Sequence, residues 1–115
     1  VTGGAAPRRK GSAFERDVVH YLQAHGFPDA ERAFGAGRPE DIGDVVGIPG
    51  VAVEVKNHAC LELAQWIDEA DRERVNAKQP YGVVVVKRRG KSAAQSYVVC
   101  DLATFARLIG DEVAP

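Results

Sequence analysis

The chain has 115 residues, of which 45% are hydrophobic and 27% charged, with a formal net charge of −1. That size supports one domain around one core, and no apolar run approaches the roughly 18 residues that cross a membrane. Residues 1–7 are expected to be a flexible segment outside the fold, a trimmed start or a cloning scar, with residues 8–115 as the domain. A secretory signal would need an apolar h-region at the N-terminus, and none is present, so a cytoplasmic location is expected.

Ser12-Ala13-Phe14-Glu15 reads as a capping box, in which Ser12 and Glu15 satisfy each other's backbone amides. Phe14, Val18, Val19 and Leu22 then recur at helical spacing, and Gly26 and Pro28 stop the run, which predicts a helix from about Ala13 to His25. From Ala33 to Gly43 the chain is a loop punctuated by Gly35, Gly37, Pro39 and Gly43. The β-branched runs Asp44–Ile48 and Val51–Lys56, joined around Pro49-Gly50, predict a hairpin. Ala59 to about Lys78 reads as a long helix with an apolar set of Leu63, Trp66, Ile67, Ala70 and Val75. Tyr81–Lys87 is apolar enough for a central strand covered on both faces. A basic turn follows, then a strand over Ser96–Cys100. Asp101 caps a last helix, Leu102–Ile109, closed by Gly110. The α-β-β-α-β-β-α order predicts an α/β fold, a mixed sheet flanked by helices, with a crossover helix joining two parallel strands.

Charge is distributed unevenly. Arg8, Arg9 and Lys10 form one basic cluster and Lys87, Arg88, Arg89 and Lys91 another, while acids gather in Glu40–Asp44 and Glu62–Glu73. Separated patches can bind phosphate locally on a near-neutral chain, although each cluster alone reads more readily as a solvated loop. Cys60 and Cys100 match no metal-ligand spacing and read as two reduced, buried thiols.

The informative stretch is Asp44-x9-Glu54-x-Lys56. Alternation puts Val51, Val53 and Val55 on one face of their strand and Ala52, Glu54 and Lys56 on the other. A carboxylate and an ammonium two residues apart within an apolar strand suit a hard divalent cation and a phosphate beside it. The same pair also reads as a solvent-face ion pair on an edge strand. Asp44 joins Glu54 only if the hairpin loop is Ile48-Pro49-Gly50, with Gly50 as the left-handed residue; a two-residue turn puts Asp44 on the wrong face. Asp41 is a rival to Asp44.

The run Arg9-Lys10-Gly11-Ser12-Ala13-Phe14-Glu15-Arg16-Asp17 resembles the first-helix motif of archaeal-type and phage Holliday junction resolvases, members of the PD-(D/E)xK nuclease superfamily. The aspartate, the Glu-x-Lys, the long helix and the hydrophobic strand follow in that family's order, from about Arg8 to Ile109. The resemblance implies a restriction-endonuclease-like fold and a Mg²⁺-dependent endonuclease, with Mn²⁺ as a substitute. It implies Glu15, Asp44, Glu54 and Lys56 as the catalytic set. Asp44, Glu54, the Val55 carbonyl and Glu15 would serve as metal ligands, and Lys56 would orient or activate the water. By the same resemblance Arg8, Arg9, Lys10, Ser12, Arg16, Arg38, Lys87, Arg88, Arg89 and Lys91 line the DNA path. The partners implied are a four-way DNA junction and a second copy of the chain, in a bacterial or phage-infected cell. The chain departs from the family in having Gly43 before the aspartate, where proline is usual, and in lacking a serine in Ala33–Arg38. Two other readings compete: another nuclease of the superfamily acting on duplex or branched DNA, and a non-catalytic DNA-binding module on the same fold.

Overall fold

The computed structural model describes residues 5–33 and 42–113, with the backbone alone for 5–10 and 111–113. The elements are α1 (Ala5–Ala24), β1 (Glu31–Arg32), β2 (Val45–Val46), β3 (Val51–Lys56), α2 (Leu63–Asn76), β4 (Tyr81–Val86), a short 3₁₀ turn (Ala93–Gln95), β5 (Tyr97–Val99) and α3 (Leu102–Val113). The strands form one sheet in the order β1-β2-β3-β4-β5. Only β3 and β4 run parallel, joined through α2; the other pairs are antiparallel. The result is a mixed sheet flanked by three helices, broadly restriction-endonuclease-like in topology.

Each face of the sheet has its own core. Phe14, Val18 and Val19 of α1 pack with Val45, Val53, Val55 and Val83 on one face. Trp66 and Ala70 of α2 pack with Val84 and Val86 on the other. The alternation of β3 produces this division: Val53 and Val55 point to α1, and Glu54 and Lys56 point to α2. Among the described residues no helix is long and apolar enough to cross a membrane.

Several boundaries depart from the sequence reading. α1 begins at Ala5, so Ser12 and Glu15 lie within the helix and form no capping box. Pro7 in the first turn is compatible with that earlier start, because its missing N–H would be unpaired there anyway. The apolar periodicity signals only the part of the helix that meets the sheet, from Phe14 onward. α3 runs through Gly110 to Val113, while Asp101 does cap it, its Oδ1 accepting from the Thr104 amide at 2.8 Å. α2 starts at Leu63, four residues later than expected. Leu63 and Val75 are exposed, so neither belongs to its core face. The short β1 was not anticipated, since Glu31-Arg32 carries no strand signal of its own. Both cysteines are free, and Cys60 is exposed where a buried thiol was expected.

The hairpin takes the three-residue-loop register. Val45 pairs with Val53, Val51 N donates to Ile48 O at 3.1 Å, and Gly50 has φ +83°. That register places Asp44 beside Glu54. Gly43 has φ +97°, and a Cβ there would lie 2.9 Å from the Val53 carbonyl oxygen. Proline, locked near −65°, cannot take this conformation, which accounts for its absence before Asp44.

α2 sits unusually close to the sheet at Gly82 of β4, where a Cβ would meet the Ala70 carbonyl oxygen at 2.5 Å. The two nearest atoms, the Ala70 carbonyl oxygen and carbon, are backbone, so the helix itself would have to move. Gly82→Ala is expected to destabilise the fold by about 1–3 kcal/mol through overpacking, read as a lower urea midpoint with unchanged slope. An unchanged midpoint would show that α2 does not depend on this approach.

Candidate metal centre

Glu54 lies near the middle of the sheet, on the α2 side, and is only 7% exposed. A carboxylate at that position is costly unless it is partnered or neutral. On one side it shares a side-chain hydrogen bond with Asp44. On the other, Glu54, Glu69 and Glu73 each place a carboxylate oxygen within 4.8 Å of the others. Glu73 is 3% exposed, and Glu69 is half-buried. Lys56 sits among them, its Nζ 3.3 Å from Glu54 Oε2 and 3.0 Å from Glu69 Oε2. The Lys56 ammonium also lies 5.8 Å from the centre of the Trp66 ring.

Burial, the hydrogen bond with Asp44 and the charges of Asp44 and Glu73 push the Glu54 carboxyl up to about 10, against the opposing pull of Lys56. Glu54 therefore keeps its proton at neutral pH and donates it to Asp44. Burial pulls the Lys56 ammonium down, but Glu69 and Glu54 more than offset this and the net shift is upward. Lys56 is thus held as a cation and suits charge stabilisation rather than proton abstraction. Burial also opposes ionisation of Glu69, yet the Lys56 contact outweighs it and lowers that carboxyl.

Asp44, set opposite Glu54 by the hairpin register, anchors a second polar network. Its Oδ2 accepts from the Val55 amide at 2.8 Å, which occupies the Val55 main chain as a donor to the site. Glu15 reaches this network from α1. Burial and the nearby Asp44 raise its carboxyl above the usual range, with Arg32 opposing. Arg32 Nη2 is 3.0 Å from Glu15 Oε1 and donates to Ser12 Oγ at 3.2 Å, so β1 is latched to α1.

The chain therefore brings Asp44, Glu54 and Lys56 together, with Glu15 at the edge of the group. The tightest carboxylate cluster among the described residues is another one, Glu54 with Glu69 and Glu73. Glu69 and Glu73 were missed by the sequence reading, though a signal existed. Trp66, Ala70 and Glu73 follow at helical core spacing, so Glu73 occupies a position where α2 should be apolar. Arg32 was missed as well, because nothing in a loop-edge arginine marks its partner 17 residues back. Of the predicted DNA-contacting residues, Ser12, Lys87 and Arg88 are half-buried and Arg16, Arg89 and Lys91 are exposed. The side chains of Arg8, Arg9 and Lys10, and Arg38 and Asp41 entirely, lie outside the described residues.

The donor set fits a hard divalent cation: carboxylate oxygens only, crowded enough that one of them must hold a proton. Glu54 with Glu69 and Glu73, or Glu54 with Asp44 and Glu15, would supply the ligands. No protein-family model, no curated protein and no solved structure matches this chain. What the geometry supports is a mixed α/β fold carrying a buried acidic triad, consistent with a PD-(D/E)xK-like superfamily.

A pH dependence follows from Glu54. Its carboxyl titrates near 4.5 when unfolded and near 10 when folded. The associated stability is complete below about pH 4.5 and is lost as the pH rises toward 10. The lowered Glu69 acts only below its ordinary 4.5, outside this window. Without divalent cations, thermal midpoints should therefore fall from pH 5 to pH 9, and Glu54→Gln should flatten that decline. An equally steep decline in the variant would place its origin elsewhere.

Proposed function

We propose that this chain is a metal-dependent nuclease of the PD-(D/E)xK type, hydrolysing phosphodiester bonds in duplex or branched DNA. The observation that carries the reading is Glu54: a buried, proton-holding carboxyl within 4.8 Å of two further carboxylates and 3.3 Å from the Lys56 ammonium. A core that needed only stability would place an apolar residue there.

A divalent cation held by these carboxylates would offset charge on the phosphoryl group and make water a better nucleophile. The chain's own groups do the rest. Glu54 would release its proton to make room for a cation, so affinity for the cation would rise with pH. Lys56, charged and partly screened from solvent, stabilises the negative charge that develops on the phosphoryl oxygens. The Asp44–Val55 hydrogen bond fixes the Asp44 carboxylate relative to β3. Lys87, Arg88 and Arg89 follow directly on β4, whose register sets Val86 beside Lys56. Cations thus flank the acidic centre at the same end of the parallel pair, where α/β sheets place their ligands.

The narrower reading, cleavage of four-way junctions by a homodimer in recombination, repair or phage DNA processing, rests on the Lys10-Gly11-Ser12 and Glu15-Arg16 pattern of α1. Recognition through shape and phosphates suits a chain this short. Mg²⁺, with Mn²⁺ as substitute, is the cation proposed.

Incubating a labelled four-way junction and a matched linear duplex, with and without Mg²⁺, tests both levels. Cleavage should need the metal, and Glu54→Gln, close to the shape of the protonated side chain, should lower its rate at least about a hundredfold. Paired nicks confined to the junction would support resolution; equal cutting of both substrates would leave a general nuclease. Cutting by Glu54→Gln at the parent rate would remove the assignment altogether.

The two ligand sets can be separated by calorimetric titration with Mn²⁺. Glu73→Gln should weaken binding at least about tenfold if the cation sits on the α2 side. If Glu15→Gln weakens it instead while Glu73→Gln does not, the cation sits on the Asp44 side.

A further inference from the structure

Beyond the acidic centre the surface carries a trough with two unlike walls. One wall, a groove of about 470 Å³, includes Asn57, His58, Lys87, Arg88, Arg89 and Tyr97. The other, a hollow of about 300 Å³, is lined by apolar groups including Leu61, Leu63 and Val98. Leu61 and Tyr97 line both, so the two adjoin. Tyr97 is 49% exposed and Val98 65%, both on the edge strand β5. The Arg88 guanidinium lies 5.2 Å from the centre of the Tyr97 ring. The groove begins one residue beyond Lys56, at Asn57, and Lys87 N donates to Lys56 O at 3.0 Å.

We infer that this trough binds an unpaired strand of nucleic acid, with phosphates along Lys87, Arg88 and Arg89 and bases against Tyr97, Leu61 and Val98. The argument is one of complementarity. A duplex shows phosphates on its outside and hides the faces of its bases, so it would satisfy the cations and leave the apolar wall wet. An unpaired strand shows phosphates along one edge and apolar base faces along the other. An exposed tyrosine with a guanidinium stacked on it, at the rim of a cationic groove, is the element on which bases stack. The inference rests on the nuclease reading above and narrows its substrate to DNA with an unpaired segment next to the cut, such as a frayed branch point, a flap or an overhang.

The test is fluorescence anisotropy on the full chain in EDTA, with labelled oligothymidylate and a blunt duplex of equal length at one salt concentration. Without metal, binding is read independently of cleavage, so an inactive enzyme would defeat the nuclease reading and leave this measurement intact. The single strand should bind at least about fivefold more tightly than the duplex. Tyr97→Ala should weaken single-strand binding about tenfold and leave duplex binding within about twofold, while Tyr97→Phe, which keeps the ring, retains the parent affinity. Val98→Ser, at a position too exposed to unfold the chain, should also weaken the single strand selectively. Equal or tighter binding of the duplex, or equal losses on both substrates, overturns the inference. So does a change in oligomeric state on size-exclusion chromatography with single-strand affinity unaltered, which would make this face a contact between copies of the chain.

Discussion

The site is organised around the crowding of negative charge at Glu54. Its carboxyl is surrounded by Asp44 and Glu73, has Lys56 as its nearest cation, and is almost cut off from water. Such a group has two ways to exist: it keeps a proton, or it gives the proton up to a cation with more charge than Lys56 supplies. The first state costs little but does nothing. The second would convert a cluster that repels itself into a coordination sphere.

The fold's contribution is to bring these groups to one place from distant parts of the chain. β3 presents Glu54 and Lys56 on the same face, the hairpin register sets Asp44 opposite Glu54, and α2 lays Glu69 and Glu73 over both. Gly82 lets α2 approach closely enough for its carboxylates to reach the sheet. On the opposite face α1 packs on the valines of β3 and brings Glu15, restrained by Arg32, toward Asp44. α1 and α2 therefore each serve as both a core element and a carrier of one part of the site. Stability and function are coupled in α2 most closely, because its buried face consists of Trp66, Ala70 and Glu73 together.

Charge separation lets a chain of net charge −1 carry both an acidic centre and a cationic surface. The cations after β4 lie next to the acids rather than over them, because β4 runs parallel to β3 and ends beside Lys56. On the proposed reading, a phosphodiester tracking those cations would be led to the carboxylates, which would repel it without a metal and hold it with one.

The elements themselves were largely legible in the sequence. The period-2 pattern of Val51–Lys56 and the apolar run of Tyr81–Val86 identify their strands, and helical periodicity identifies the cores of α1 and α2, because local burial patterns are written at fixed intervals. Glu54 and Lys56 stand out for the same reason: they interrupt an apolar strand. The hairpin register, left open by sequence, was decided by which pairing lets Val45 and Val53 share the α1 core. The true start of α1 was invisible because its first turns precede the apolar stripe, and β1 exists only through its pairing with β2. Glu69, Glu73 and Arg32 belong to the site through contacts between elements far apart in sequence. What the sequence determined was which residues alternate and which positions are buried, since these depend on local geometry. Which carboxylates meet was decided by the crossover of α2 over β3 and β4, since proximity between distant segments is a property of the packed sheet.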